Sequence, residues 1–146
     1  MFPAGIWYNE LGSQMELNIS GNNVWGWYYS GVGTAQFTYP LSGQINTKPQ
    51  TYSQALGWSV AWTNAYQDAH SATAWSGQYQ QDSSGDEEIV AFWLLTSELP
   101  DNEDWEATLV GKDVFTRSMP APQDIQKARK RTAKSHPPAA TQKGDR

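Results

Sequence analysis

LGWSVAWTNAYQDAHSATAWSGQY, residues 56–79, decides the reading of this chain. Side chains alternate between faces along a strand, so Leu56, Trp58, Val60 and Trp62 share one face and Gly57, Ser59 and Ala61 the other. After a polar link through Asn64, Gln67 and Asp68 the alternation resumes. Ser71, Thr73, Trp75, Gly77 and Tyr79 then lie on one side, with Ala72, Ala74, Ser76 and Gln78 opposite. Two neighbouring strands therefore aim tryptophans and short hydroxyls the same way. Broad apolar walls carrying a few fixed polar groups are what a small-ligand pocket needs.

The same period of two runs through the rest of the chain. Trp7, Asn9 and Leu11 alternate with Tyr8 and Glu10, and Met15, Leu17 and Ile19 with Glu16, Asn18 and Ser20. The turn Gly21-Asn22-Asn23, a residue set that tolerates positive φ, separates these from a third strand at 24–30, with Val24, Gly26, Tyr28 and Ser30 on one side. A fourth spans about 35–45, with Pro40 marking an edge or irregularity. The two strands of the opening stretch come fifth and sixth, and His70 between them reads as a loop or interface residue. Beyond the DSSGD turn at 82–86, a seventh strand at 87–97 is apolar on both faces, and an eighth runs from 105 to 116.

Eight strands at hairpin spacing, with no helix expected before residue 117, predict an all-β fold. An eight-stranded antiparallel up-and-down β-barrel is favoured over a sandwich, because closure removes exposed edges and leaves room for one small ligand. Trp25, Trp27, Phe92, Leu94 and Val110 would then point outward, more apolar area than a monomer usually exposes, so subunit interfaces are expected there.

Composition narrows the function. The 146 residues contain no cysteine and two histidines, which leaves no basis for a disulfide framework, thiolate chemistry or a metal site. No run approaches the ~20 apolar residues of a membrane span, and the first strand-like segment starts too soon after Met1 for a secretory leader. The expectation is a protein cytoplasmic as written, or secreted if the sequence is a mature form. Before Arg117 only Lys48 and Lys112 stand against thirteen acids, whereas residues 117–146 hold eight Lys and Arg against Asp124 and Asp145. This divides a barrel domain at 1–116 from a basic tail at 117–146, read as disordered or partly helical. An acidic body argues against nucleic acid as a partner.

The blocks GIWYNELGS at 5–13, SGVG at 30–33, LGWSVAW at 56–62, HSATAWSGQY at 70–79, WLLTS at 93–97 and TLVGKDVFT at 108–116 carry a further signal. In this order and spacing the chain resembles the avidin/streptavidin family of biotin-binding proteins, on the side of streptavidin and the fungal avidins. The resemblance implies high-affinity, non-covalent biotin sequestration in a tryptophan-lined barrel, with biotin as ligand and no cofactor. Asn9, Ser13 and Tyr28 match donors to the ureido oxygen, and Ser30 and Asp113 match acceptors for the ureido N–H groups. Thr73 matches the hydroxyl near the ring sulfur, while Ser71 and Thr34, with the Val32–Thr34 loop backbone, match the carboxylate site. Trp62, Trp75 and Trp93 match the apolar box with Leu95 beside them, and Trp105 the lid lent to a neighbour in a homotetramer, a dimer of dimers. Thr34 replaces an asparagine of the family pattern and Lys112 a histidine.

Other readings stand beside this one. Trp7 and Trp58 read as core packing. A diverged, lectin-like or hydrophobe-binding barrel is the alternative function, since Trp-rich faces with Asn and Asp also suit sugars. An enzyme is not expected: among the obvious carboxylates only Asp113 falls on the inward register, and acid–base catalysis on a glycoside needs a second.

Overall fold

A computed structural model describes residues 3–29, 38–49, 52–98 and 108–131. Eight strands follow one another: β1 (Gly5–Asn9), β2 (Gln14–Ser20), β3 (Asn23–Tyr29), β4 (Thr38–Ile45), β5 (Gln54–Thr63), β6 (Asp68–Gln81), β7 (Glu87–Ser97) and β8 (Thr108–Thr116). Each pairs antiparallel with the next, and β1 pairs with β8 through Tyr8↔Thr116 and Asn9↔Phe115, closing a barrel. The up-and-down barrel read from the periodicity is the fold. β4 begins at Thr38 and β8 at Thr108, so the expected strand starts at 35 and 105 lie outside the described residues. The β4–β5 ladder opens at Ser42, beyond Pro40, which therefore interrupts no pairing on that side.

His70 lies in β6, which corrects the loop half of its loop-or-interface reading; its φ is 51° and it falls within a register shift in the β5–β6 ladder, between the pairs Ala61↔Ala72 and Thr63↔Asp68. Such an irregularity bends the strand locally. The backbone is held by Asp68 Oδ1, which accepts from His70 N at 2.7 Å, and by Glu98 N donating to His70 O at 2.8 Å.

The interior is filled by the predicted inward register. Trp7, Met15, Leu17, Tyr28, Trp58, Val60, Trp62, Trp75, Tyr79, Ile89, Trp93, Leu95 and Phe115 are buried in one cluster. One end of the barrel is plugged around Trp7: its Nε1 donates to Pro3 O at 2.7 Å and the Arg117 guanidinium sits 3.8 Å from its ring centroid. Arg117 also pairs with Glu87 at 3.1 Å, and Glu87 accepts from Tyr79 Oη at 2.6 Å. Burial, then this bond, pushes the Tyr79 hydroxyl up to about 12. The outward face is as apolar as the sequence suggested, with Trp25, Trp27, Phe92, Leu94 and Val110 all about half exposed or more.

Past β8 the chain forms α1 (Pro122–Arg131). Proline near its start, Asp124 in the first turn and Arg129, Lys130 and Arg131 in the last suit the helix dipole. The helix lies on the β1–β2 turn: Ala128 is buried, Ile125 packs over Gly12, and Arg129 donates to Leu11 O at 3.0 Å.

Close strand packing fixes two glycines. A Cβ on Gly26 would sit 1.8 Å from Glu16 O, a backbone atom of the facing strand, whereas one on Gly57 would meet nothing nearer than Trp75 O at 3.1 Å. Gly26→Ala is therefore expected to destabilise the fold by about 2–3 kcal/mol in urea denaturation, and Gly57→Ala by clearly less; equal losses would contradict this packing.

Candidate functional site

Within the barrel the aromatic side chains form a connected set. Trp75 stacks on Tyr28 at 5.4 Å between centroids and on Trp58 at 5.4 Å, while Trp62 meets Tyr28 and Trp75 edge-on at 5.3 and 6.2 Å. These contacts bring Trp62 and Trp75 together as the alternation on β5 and β6 requires. Trp93 faces inward on β7, directly opposite Gly111, and its ring occupies the space a Cβ there would need, with Cζ2 2.1 Å from that position. Gly111 therefore has to be a glycine for Trp93 to lie where it does. Leu95 is fully buried on the same strand.

Polar groups converge on this set. Among the described residues, Asn9, Ser13, Thr73 and Asp113 are the buried polar side chains of the barrel. Asn9 ends β1, where its Oδ1 accepts from Leu11 N at 3.0 Å and Ser13 N at 2.9 Å, so its amide NH2 turns toward the Tyr28 hydroxyl at 3.3 Å. Ser13 bonds the same hydroxyl. The turn thus spends its carbonyl acceptor on itself and presents donors. Trp62 Nε1 donates to Thr73 Oγ1 at 2.8 Å. Ser71 Oγ is buried with no partner among the described residues, a cost that a bound polar ligand would remove.

Asp113 on β8 accepts from Trp75 Nε1 at 2.9 Å. Burial nevertheless raises its carboxyl above the usual range, the Trp75 indole donor acting against that rise. Tyr28 stays protonated, pushed well up by burial and then by the Asp113 charge. The four remaining sequence-predicted residues, Ser30, Val32, Thr34 and Trp105, lie outside the described residues.

Sequence reasoning missed one group. Glu10, assigned to the outward face with Tyr8, sits one residue past β1 in the turn, half buried, with its carboxyl against Asp113. Strand alternation does not hold once the chain turns, so the expectation of a single inward carboxylate fails. Burial first, and the Asp113 charge second, raise Glu10 to about 7. Among the described residues no group of three His, Cys, Asp or Glu side chains is arranged to hold a metal.

The family model described as the avidin family matches residues 1–118. The chain belongs to the avidin family. Avidin of Gallus gallus is 34% identical over 119 residues, 77% of this chain and 76% of that protein. Afifavidin of Afifella pfennigii is 32% identical over 75% of this chain and 65% of its own length, and avidin-related protein 4/5 of Gallus gallus is 33% identical over 77% and 75%. The avidin-family match spans all eight strands and ends before α1.

The Trp62–Thr73 bond gives a test of the site's geometry. Thr73→Val keeps shape but removes the acceptor of a buried indole N–H, and is expected to cost about 1–3 kcal/mol in chemical denaturation. A neutral effect would show that the two side chains do not meet.

Proposed function

We propose that this avidin-family protein binds biotin non-covalently inside the barrel and holds it without turnover. One observation supports this above the others: the donors Asn9, Ser13 and Tyr28 and the acceptor Asp113 are buried together at the aromatic set, Asp113 bonded to Trp75 and Tyr28 packed on the same ring. A cyclic urea has the complementary polarity, an acceptor oxygen flanked by two N–H donors. Three donors on the oxygen favour charge drawn toward it, as an oxyanion hole does. In this reading Ser30 joins Asp113 as N–H acceptor, Thr73 faces the ring sulfur, and Ser71, Val32 and Thr34 receive the carboxylate. Trp62, Trp75, Trp93 and Leu95 form the walls. Preformed groups around a rigid bicycle avoid much of the ordering entropy that limits affinity.

Glu10 does not revive a hydrolase. Glycoside cleavage needs two carboxyl groups with the sugar held between them, whereas Glu10 and Asp113 are neighbours whose charges act directly on each other.

Calorimetry is expected to show one biotin per chain with no product formed. Asp113→Ala should weaken binding by about 10- to 100-fold, the worth of a hydrogen bond to a charged group; unchanged affinity would reject Asp113 as the acceptor.

The quaternary proposal is a homotetramer in which Trp105 closes a neighbour's pocket. It is supported by the outer face of β6–β8, where Phe92, Leu94 and Val110 border a shallow groove of about 540 Å³ with Lys112 above Phe92. Light scattering should give four times the chain mass, and Leu94→Arg a smaller species; a monomeric wild type would overturn it.

A further inference from the structure

We propose that α1 belongs to the binding machinery, with Ile125 and Arg129 as positioning residues that hold the β1–β2 turn so that Asn9 and Ser13 present their donors to the ligand. The inference rests on the biotin-binding reading for what those donors meet. It adds to the shared barrel, because the avidin-family match ends at residue 118 and α1 starts at Pro122.

The turn has a tight inner framework and a bare outer surface. Gly12 N donates to Asn9 O at 3.1 Å and Asn9 N to Ser13 O at 3.0 Å, while Leu11 N and Ser13 N both donate to Asn9 Oδ1. Gly12 sits at φ 85°, a conformation in which a side chain is strained. The residue before Ser13 therefore has no side chain of its own to anchor the turn. Ile125 supplies that anchor from another element: its Cδ1 lies 3.0 Å from where a Gly12 Cβ would stand, and Gly12 is buried. Arg129 adds a second hold. Its Nη2 and Nε donate to Leu11 O at 3.0 and 3.2 Å, a fork on one carbonyl oxygen.

The helix in turn depends on this contact. Ten residues are marginal as a helix in water, so packing decides whether α1 forms. Ile125, Ala128 and Arg129 lie three and four residues apart, hence on one face. Ala128 on that face is buried, whereas Lys127, Lys130 and Arg131 are exposed. The apolar stripe of the helix and the bare surface of the turn cover each other.

Placement matters here more than bond strength. The Arg129 bonds are exposed and each stabilises modestly, but donors serve a ligand only when held within ~0.5 Å of the productive geometry. Asn9 and Ser13 stand at the two ends of the turn, both buried, so a shift of Leu11 and Gly12 displaces both. Tyr28, the third donor, comes from β3 and Ser71 from β6, and neither is carried by the turn.

The full chain carrying Ile125→Ala and Arg129→Ala together tests this, since both substitutions lie outside the barrel. Calorimetry should show biotin bound about 3- to 10-fold more weakly than by the wild type, the worth of one neutral hydrogen bond. Combined with Ser13→Ala, the α1 substitutions should lose most of this effect; combined with Ser71→Ala, they should keep it in full. Wild-type affinity in the α1 variant, or an equal loss in both backgrounds, would overturn the inference and leave biotin binding standing. No binding heat from the wild type would reject the binding reading, and the ligand role of α1 with it. Amide hydrogen exchange in the unliganded protein needs no ligand: residues 11–13 should exchange faster in the α1 variant while the β6 amides keep their wild-type rates. Unchanged exchange in the turn, or faster exchange throughout the barrel, would overturn the clamp.

Discussion

The hydrogen bond from Trp75 Nε1 to Asp113 Oδ2, 2.9 Å across the barrel interior, joins the two halves of this structure. It ties the aromatic set, built on β3, β5, β6 and β7, to the charged end of the polar set on β8. An aspartate buried to this degree is tolerated only with donors, and a buried indole N–H only with an acceptor. Each group satisfies the other, and their mutual position is thereby set. Barrel closure makes the bond possible: β6 and β8 are not adjacent, and their inward side chains meet because the sheet curls until β8 reaches β1.

Most of the fold was legible because the side-chain period of a strand is two and one face of every strand is buried. The register Leu56, Trp58, Val60, Trp62 and the register Thr73, Trp75, Tyr79 came directly from alternation, and the structure buries each of them. A one-residue slip would have exposed the whole set. Strand ends were less legible. Asp68 and His70 carry polar side chains that look like a loop, yet the β5–β6 ladder continues through them across a register shift. Local composition does not reveal a bulge.

The site was legible in part for the same reason. Inward hydroxyls and tryptophans on regular strands could be placed, whereas Glu10 could not, since it follows β1 into a turn where alternation has no meaning. What identifies it is tertiary: closure carries β8 past the β1–β2 turn and sets Asp113 beside it. The turn is itself buttressed, by Asn9 Oδ1 from within and by Ile125 and Arg129 of α1 from outside. The charge contrast at residue 117 allowed a basic segment to lie on the acidic body, but it did not single out this turn as the place where α1 packs.

The central claim is that the donor turn at Asn9–Ser13 and the Trp75–Asp113 pair form one site for a cyclic urea. A crystal structure of the protein grown with biotin tests it most directly. The account predicts the bicycle among Trp62, Trp75 and Trp93, with the ureido oxygen within hydrogen-bond distance of Asn9, Ser13 and Tyr28 and a ureido nitrogen on Asp113. A ligand seated elsewhere, or a barrel interior closed by its own tryptophans with biotin at hand, would contradict it.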